Sequence, residues 1–437
     1  MGSYVPGTAQ EQKEMLSCIG LARMTDLYRD VPDEVLLQEP LDLPEGLGEM
    51  QLRARMEGIA AKNRVYPVIL RGAGAYSHYI PSIVKTVSSR EEFVTAYTPY
   101  QAEISQGILQ SIFEYQTMMC ALTGMDVSNA SVYDGASAAA EAAAMCRDKK
   151  RTVTLISATA HPDVIATVRT YCEAANAPMQ VIPEKDGVTD VEALCALLTP
   201  QTACVILQTP NFYGALEDAA QAVQAAHAAG AKAVLSCNPM ALALMKTPGE
   251  LQADIAVAEG QPLGLPLSYG GPYLGIMTCK QAMMRRLPGR IVGETVDVDG
   301  RRAFVLTLQA REQHIRREKA SSNICSNEAL CALTAGAYLT AMGPEGLREA
   351  AQRCMDNAHY LQRALAEAGL ERVGSAPFFH EFVTKCPREP ERLLAALEAE
   401  GILGGLPVQG GILWCATEQV DRAKMDRAAA IVREVLS

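Results

Sequence analysis

A loop rich in glycine and proline, residues 259–273, has the composition most typical of an active-site loop in this chain. Apolar, strand-like runs lie on both sides of it, at residues 254–258 and 274–278. A strand, a Gly/Pro-rich loop and a second strand are a common arrangement for presenting functional groups in α/β proteins. Gln261 stands near the start of the loop, and its amide cannot condense with a carbonyl compound as a lysine amine does.

Three other loops follow predicted strands, at residues 157–161, 208–213 and 236–239. Parallel strands end at the same edge of a sheet, where α/β proteins bind their ligands, so we expect these loops and the first one to meet. His161 lies on one of them, and His78 lies on an earlier loop. A single histidine is more often a hydrogen-bonded structural group than a catalytic one, and we favour that role for both.

The turn at residues 129–135 leads into an alanine-rich helix predicted over residues 136–146. The start of a helix presents free N–H groups and the positive end of the helix dipole, which together can hold an anion. Tyr133 and Asp134 stand directly before it. The alternative is an ordinary helix start that Asp134 caps with its side chain, and we favour the cap.

An aromatic loop at residues 97–103 offers hydroxyl and amide groups together with a carboxylate. The hydroxyl and amide groups of Thr98, Tyr100 and Gln101 are donors for a carboxylate or a phosphate, and the proline within the loop stiffens its backbone. The alternative is that its tyrosines pack at a subunit interface, which is a common use of tyrosine. The candidate site residues of this loop are Thr98, Tyr100, Gln101 and Glu103.

Residues 309–327 mix cations and anions, a pattern typical of a solvated face or a subunit contact. Ser321, Ser322 and Asn323 lie near the end of this run. As neutral hydrogen-bonding groups they are candidate phosphate contacts. The alternative is that they cap the long helix predicted to begin at residue 327.

The elements that position these groups alternate regularly from residue 151 onward. Helices are predicted between the strands, at residues 190–198 and 217–229. Alternating strands and helices predict an α/β fold with a largely parallel sheet covered on both faces. The strands are predicted at residues 152–156, 179–182, 203–208, 233–236, 254–258 and 274–278.

Three regions are predicted along the 437 residues. Residues 1–65 form a helical arm with too few apolar residues to fold alone, residues 66–325 form the large domain, and residues 326–437 form a linking helix and a small α+β domain. A chain of this length is long enough for two or three domains.

The composition excludes several classes of function. The net charge of −11 speaks against general nucleic-acid binding, which needs a basic surface. No apolar run approaches the roughly 20 residues that span a membrane. The 13 cysteines include no CxxC pair and no Cys/His cluster with zinc spacing, so we expect free thiols, a reducing cytoplasm and no metal.

Four segments of the chain resemble one family. Residues 97–107, 129–135, 259–272 and 309–319 occur in the order seen in the P-proteins of the glycine cleavage system, and most closely resemble subunit 1 of the split bacterial form. The resemblance extends from Tyr4 to about residue 345 and more weakly to the end. Four long motifs in the right order are far more specific than a single glycine motif.

The resemblance implies a fold-type I pyridoxal-phosphate-dependent transferase fold and a role in glycine decarboxylation, with transfer of the aminomethyl group to the lipoyl arm of H-protein. It also implies an α2β2 assembly with a homologous subunit 2, which alone carries the lysine that binds pyridoxal phosphate. When the segment of subunit 2 that contains this lysine is aligned with this chain, Gln261 takes the position of the lysine and Gly260 takes the position of the histidine before it. Subunit 1 of the family also lacks this lysine, so a glutamine at position 261 fits the family. The resemblance further implies a vestigial pocket lined by Tyr133, Asp134, His161 and Gln261.

In fold-type I enzymes the sites lie at dimer interfaces, so the resemblance implies that this chain completes its partner's site. The loop at residues 97–103 and the segment Ser321, Ser322 and Asn323 are the expected contributions. Two alternatives remain open at this point. The chain could be a stand-alone pyridoxal-phosphate enzyme that uses Lys246 or Lys280, or a purely structural partner.

Overall fold

The computed structural model describes residues 7–437 except 38, 40, 97, 309–312, 321, 326, 327, 387 and 388. Tyr97, Ser321 and the start of the 309–319 motif therefore lie outside the described residues. The chain divides into two compact units, Met1–Val65 and Tyr66–Ser437. The three-part division made from the sequence stays a prediction.

The first unit contains two helices, α1 (Ala9–Cys18) and α2 (Glu49–Ala60), with a 3₁₀ helix at Met24–Tyr28 between them. A capping box begins α1, in which the Thr8 hydroxyl accepts from the N–H of Glu11 and the Glu11 carboxylate accepts from the N–H of Thr8. Many large apolar side chains of this unit are exposed, including Met50 at 82%. Exposed apolar surface of this extent is a feature of interaction sites.

The second unit is built on a seven-stranded sheet with the strand order β2-β10-β9-β8-β7-β3-β4. Its interior strands are rich in Val, Ile and Ala and are buried on both faces, as a helix-covered parallel sheet requires. The strands are β1 (Val68–Ile69), β2 (Val127–Ser128), β3 (Val153–Ser157), β4 (Met179–Ile182), β5 (Glu184–Lys185), β6 (Val188–Thr189), β7 (Thr202–Thr209), β8 (Lys232–Cys237), β9 (Ile255–Glu259), β10 (Gly275–Cys279), β11 (Ile291–Val296), β12 (Arg302–Thr307), β13 (Glu381–Thr384), β14 (Ile402–Leu403), β15 (Leu406–Val408) and β16 (Gly411–Cys415).

The sheet is mostly parallel, as the strand and helix alternation predicts. Strand β10 is the exception, since it pairs antiparallel with both β9 and β2. The other pairings, from β9 through β8, β7 and β3 to β4, are parallel. The carboxyl ends of β3, β7, β8 and β9 therefore share one edge, whereas β10 ends at the opposite edge.

Helices cover the sheet. They are α3 (Ser82–Ser88), α4 (Glu91–Val94), α5 (Gln106–Thr123), α6 (Gly135–Cys146), α7 (Pro162–Ala174), α8 (Val191–Leu197), α9 (Ala219–Ala228), α10 (Gln313–Arg316), α11 (Ala329–Glu367), α12 (Pro390–Ala399) and α13 (Arg422–Leu436). The alanines of α6 let it pack closely on the sheet, and Ala138, Ala139 and Ala142 have no exposed surface. In the part of the chain that the structure describes, no helix combines the length and apolar character needed to cross a membrane.

Two local features differ from the sequence-based expectation. The sequence predicts separate helices at residues 327–341 and 344–368, and the structure joins them in α11, which has a kink at Gly343 (φ 61°) followed by Pro344. Proline lacks the N–H that would continue the hydrogen bonding, so the kink lies where the break was predicted. The antiparallel hairpin of β11 and β12 was not predicted at all.

The C-terminal part of this unit packs around a second apolar core, which also includes Val68 and Leu70. The sheet order is β13-β16-β15, and its strands are antiparallel. Trp414 on β16 is fully buried, and its indole N–H donates to the hydroxyl of Thr384 at 2.9 Å. Helices α11, α12 and α13 cover this core with leucine and alanine side chains.

Candidate functional site

A cavity of about 570 Å³ lies at the carboxyl edge of the large sheet. The four strand-end loops predicted to meet all contribute to its lining, because β3, β7, β8 and β9 are parallel and end at this edge. The beginning of α6 and residues of the C-terminal domain complete the wall. Its polar lining includes Tyr133, Asp134, His161, Asn238, Glu259 and Glu381.

Gln261 is buried beside this cavity, with 1% of its surface exposed. Its amide nitrogen donates to the carbonyls of Tyr76 (2.9 Å) and Leu265 (2.8 Å), and its amide oxygen accepts from the N–H of Tyr76 (2.8 Å). Both amide hydrogens are therefore in use. The side chain holds two backbone segments together and is not directed at a ligand.

Glu259, the last residue of β9, lies at the beginning of α6. One carboxylate oxygen accepts from the N–H of Gly135 (3.0 Å), and the other accepts from the N–H groups of Gln261 (3.0 Å) and Leu274 (3.1 Å). Burial raises the pKa of Glu259 to about 7, although the three N–H donors oppose this shift. The carboxyl group thus occupies the positive end of the helix.

Asp134 is the N-cap of α6, as favoured from the sequence. Its carboxylate accepts from the N–H of Ser137 at 2.7 Å. Tyr133, next to it, lines the cavity and is 36% exposed. The beginning of α6 therefore faces two carboxyl groups, one from Asp134 and one from Glu259.

His161 has hydrogen bonds at both ring nitrogens, as expected of a structural histidine. Its Nδ1 accepts from the N–H of Asp163 (3.1 Å) at the start of α7, and its Nε2 lies 3.0 Å from the carbonyl oxygen of Ala73. These contacts require the tautomer with the proton on Nε2. His78 also has a structural contact, with Nδ1 lying 2.8 Å from the carboxylate of Glu418.

The loop that carries Thr98 and Tyr100 lies at a different place, beside a smaller cavity of about 260 Å³. Thr98 lines this cavity together with apolar side chains and Arg290. Tyr100 is 45% exposed, and Gln101 and Glu103 are also exposed. The geometry therefore separates this group of residues from the large cavity.

Arg290, which the sequence did not single out, joins this loop to the segment after Ser322. Its guanidinium donates to the Tyr100 hydroxyl (2.9 Å) and to the carbonyl of Cys325 (2.8 Å), and it lies 5.1 Å from the centre of the Tyr100 ring. The side chain is buried, so these contacts are shielded from water. The only signal in the sequence is an arginine after the Pro288-Gly289 turn.

Ser322 and Asn323 differ in their surroundings. The Ser322 hydroxyl donates to the carboxylate of Glu141 on α6 (2.9 Å) and accepts from the N–H of Ile324 (3.0 Å). Asn323 is exposed. Ser322 and Asn323 do not cap α11, because this helix begins at Ala329 with Glu328 as its N-cap residue.

Neither Lys246 nor Lys280 contributes to the lining of the large cavity. Lys280 follows β10, whose antiparallel direction carries it to the opposite edge of the sheet, where its amine donates to the carbonyl of Gln252. Lys246 is exposed and lines another cavity. The alternative in which one of them holds a cofactor in the large cavity is therefore wrong.

Comparison with known proteins identifies the family. The family model for the glycine cleavage system P-protein matches residues 2–431. The chain belongs to the P-protein family. The probable glycine dehydrogenase (decarboxylating) subunit 1 of Syntrophomonas wolfei is 48% identical over 433 residues, covering 98% of both chains.

Solved structures agree with this assignment. The crystal structure of an inhibitor-bound glycine decarboxylase (P-protein) of the glycine cleavage system has a TM-score of 0.94 and 43% identity, covering 99% of this chain and 100% of that one. A sphingosine-1-phosphate lyase of Burkholderia pseudomallei has a TM-score of 0.67 at 15% identity, covering 92% of each chain, which is a likeness of fold alone. The predicted fold-type I class is confirmed.

Pyridoxal phosphate, the cofactor implied for P-proteins, does not fit the large cavity of this chain. Covalent attachment requires a lysine, and position 261 holds a buried glutamine whose amide is already bonded. Among the described residues that line the cavity, none is a lysine or an arginine. The helix N–H group that would meet a phosphate donates to Glu259 instead.

Glu381 is a further residue of the cavity wall that the sequence did not single out. It is buried on β13, where its carboxylate accepts from the N–H of Ala73 (2.6 Å) and from the hydroxyl of Tyr76 (2.7 Å). Burial raises the pKa of Glu381 to about 7. Because residues 73–76 are more than 300 positions away along the chain, no local signal indicates this contact.

Proposed function

We propose that this chain is the subunit of a split glycine decarboxylase that lacks the cofactor lysine. It works with a homologous second subunit in an α2β2 assembly in the cytoplasm, and the second subunit carries pyridoxal phosphate. The complex decarboxylates glycine and transfers the aminomethyl group to the lipoyl arm of H-protein. The family membership and the name subunit 1 of its 48% identical relative support this role.

One observation carries the proposal. In a member of the P-protein family, the position expected to hold the cofactor lysine is a buried glutamine that is fully hydrogen-bonded within its own chain. Pyridoxal phosphate, when bound, supplies an electron sink for the carbanion left by decarboxylation. A chain that cannot attach it must contribute to the reaction in another way.

The contribution that we propose is to complete the partner's site. Tyr100, Gln101 and Glu103 are exposed, and Thr98 lies beside them. The hydroxyls of Thr98 and Tyr100 and the amide of Gln101 can donate to a carboxylate or a phosphate, whereas the Glu103 carboxylate can accept from a donor. Arg290 holds the Tyr100 hydroxyl in place. Asn323 is a further candidate phosphate contact because it is exposed, whereas the Ser322 hydroxyl is already bonded to Glu141.

Reconstitution tests the two-chain requirement. Each chain is purified alone and in the complex, and glycine-dependent exchange of labelled bicarbonate is measured with lipoylated H-protein. We expect exchange only when both chains are present, with borohydride fixing the cofactor to a peptide of the second chain. Exchange by this chain alone, or cofactor fixed to one of its own peptides, would contradict the proposal.

Two substitutions separate a working subunit from a purely structural one. Tyr100→Phe and Thr98→Val each remove one hydroxyl while leaving the chain able to pair. We expect both to lower turnover of the reconstituted complex without changing the amount of complex. Unchanged turnover in both variants would favour the structural role.

A further inference from the structure

The beginning of α6 and the end of β9 are in unusually close contact. A Cβ atom placed on Gly135 would lie 2.9 Å from the backbone nitrogen of Glu259 and 3.0 Å from its Cβ, so no other residue fits at position 135 without a shift. This approach brings the carboxylate of Glu259 onto the N–H of Gly135. The first N–H of the helix is therefore paired with an anionic group of the same chain.

The start of a helix is a general binding place for anions, because its N–H groups lack partners within the helix and its dipole is positive there. In α6 this place is already filled from two sides, since Glu259 accepts from Gly135 and Asp134 accepts from Ser137. A phosphate group arriving here would have to displace Glu259 or lie against both carboxyl groups. Like charges at such short separation repel strongly away from water.

The rest of the cavity offers no compensation for a phosphate. The carboxyl-bearing residues Asp134, Asp163, Glu259, Glu328 and Glu381 all line it. Lysine and arginine do not occur among the described residues of this lining. The cavity is thus unsuited to a dianionic ligand even apart from the helix.

We propose that the carboxyl group of Glu259 occupies the phosphate position of α6 and thereby excludes pyridoxal phosphate and other phosphate esters from this cavity. With Gln261 in place of the lysine, the cofactor has no amine to which it can attach covalently. Glu259, two residues earlier, occupies the N–H group of Gly135 that would bind the phosphate. The same carboxylate also bonds the N–H groups of Gln261 and Leu274, so it holds both ends of the loop. This inference concerns the chain alone and does not depend on its pairing with a second subunit.

Inorganic phosphate is the first probe. The melting temperature of the full-length chain is measured over a range of phosphate concentrations at constant ionic strength, for the wild type, Glu259→Ala and Glu328→Ala. We expect a saturable rise for Glu259→Ala only, because this variant frees the N–H of Gly135. Glu328→Ala removes a carboxylate that lines the same cavity and is the matched control.

A saturable rise in melting temperature for the wild type would overturn the proposal, as would a rise for Glu328→Ala equal to that for Glu259→Ala. The wild-type chain decides the first of these outcomes even where a variant fails to fold.

Restoring the lysine is the second probe. Gln261→Lys and the double variant Glu259→Ala/Gln261→Lys are incubated with pyridoxal phosphate, and borohydride reduces the bond that forms when the lysine amine condenses with the aldehyde and loses water. We expect the single variant to retain less than about a tenth of the cofactor that the double variant retains on residue 261. Equal retention by the single variant would overturn the proposal, because Glu259 would then be no obstacle. Neither outcome bears on the two-chain requirement, which is measured by bicarbonate exchange in the complex.

Discussion

The polar side chains around position 261 form a connected group of hydrogen bonds. Gln261 bonds the backbone of Tyr76, the Tyr76 hydroxyl bonds Glu381, and Glu381 accepts from the N–H of Ala73. Each of these side chains is buried, and a buried polar group is costly unless it is paired. These buried side chains at the wall of the large cavity are therefore paired within the chain itself.

Loss of Arg290 is expected to affect the proposed partner site through Tyr100, whose hydroxyl it holds. Arg290→Gln removes the contact with the Tyr100 hydroxyl, so the loop loses its fixed position, and misplacement of site groups lowers rates by on the order of tenfold to a hundredfold. We expect a lower kcat for the reconstituted complex, with the melting temperature recorded alongside. Arg290→Lys keeps the charge and should recover part of the activity.

The matched control is Arg302→Gln. Arg302 pairs with Glu294 on the neighbouring strand at 2.7 Å and is exposed, so it carries the same charge without the buried hydrogen bond to Tyr100. Its replacement should leave kcat unchanged. If Arg290→Gln also leaves kcat unchanged while lowering only the melting temperature, Arg290 does not position Tyr100 for catalysis.

Among the elements, α6 shows how a short segment acquires two roles. Its alanines pack against the sheet, and its beginning faces the large cavity. The N-cap Asp134 was predictable because a capping residue and its helix are adjacent in sequence. The contact with Glu259 was not, since the two groups are separated by 124 positions.

The cap of α6 can be tested by Asp134→Ala. Loss of the bond to the N–H of Ser137 should lower the free energy of unfolding by about 1 kcal/mol, measured by urea denaturation. Asp134→Asn retains an acceptor and should cost less. If Asp134→Asn lowers the free energy of unfolding as much as Asp134→Ala does, the charge of Asp134, and not its hydrogen bond, stabilises the start of the helix.

At the scale of the Tyr66–Ser437 unit, Glu418 connects the C-terminal part of the chain to the loop that carries His78 and Tyr79. Its carboxylate lies 2.8 Å from Nδ1 of His78 and accepts from the N–H of Tyr79 at 2.6 Å. The Cys354 thiol also donates to it. Burial acts to raise the pKa of Glu418, but the contacts with His78 and Tyr79 outweigh it and hold the pKa at about 2.

The sign of the pH dependence follows from this depressed pKa. Since the folded pKa lies below the usual 4.5, Glu418 stabilises the fold above pH 4.5, and this contribution is lost as the pH falls from 4.5 towards 2. Glu418→Gln should lower the free energy of unfolding by about 3 kcal/mol at pH 7, and the gap to the wild type should narrow on acidification. Urea unfolding at several pH values measures both effects.

Glu371→Gln is the control for this substitution. Glu371 lies 4.0 Å from Lys385 and is 80% exposed, so its ion pair should contribute almost nothing. Two outcomes would contradict this explanation: an equal loss of stability in both variants, or an effect of Glu418→Gln that does not depend on pH. Either would show that the buried contact between Glu418 and His78 does not stabilise the unit.

The sequence alone determined most strands of the large sheet and the family. Strands such as β7 and β9 contain continuous apolar runs, and polar or turn residues mark their ends, so local physical chemistry defines them. The long motifs identified the P-protein family, and Gln261 was recognised by its place within one of them. All of this information is contained in neighbouring residues.

Only the tertiary structure decided how distant groups meet. The antiparallel direction of β10 carries Lys280 away from the cavity, and the end of β9 brings Glu259 to the beginning of α6. Arg290 reaches Tyr100 across 190 positions of sequence. The physical reason is that strand direction and register determine which side chains share an edge of the sheet, and these depend on pairing between remote segments.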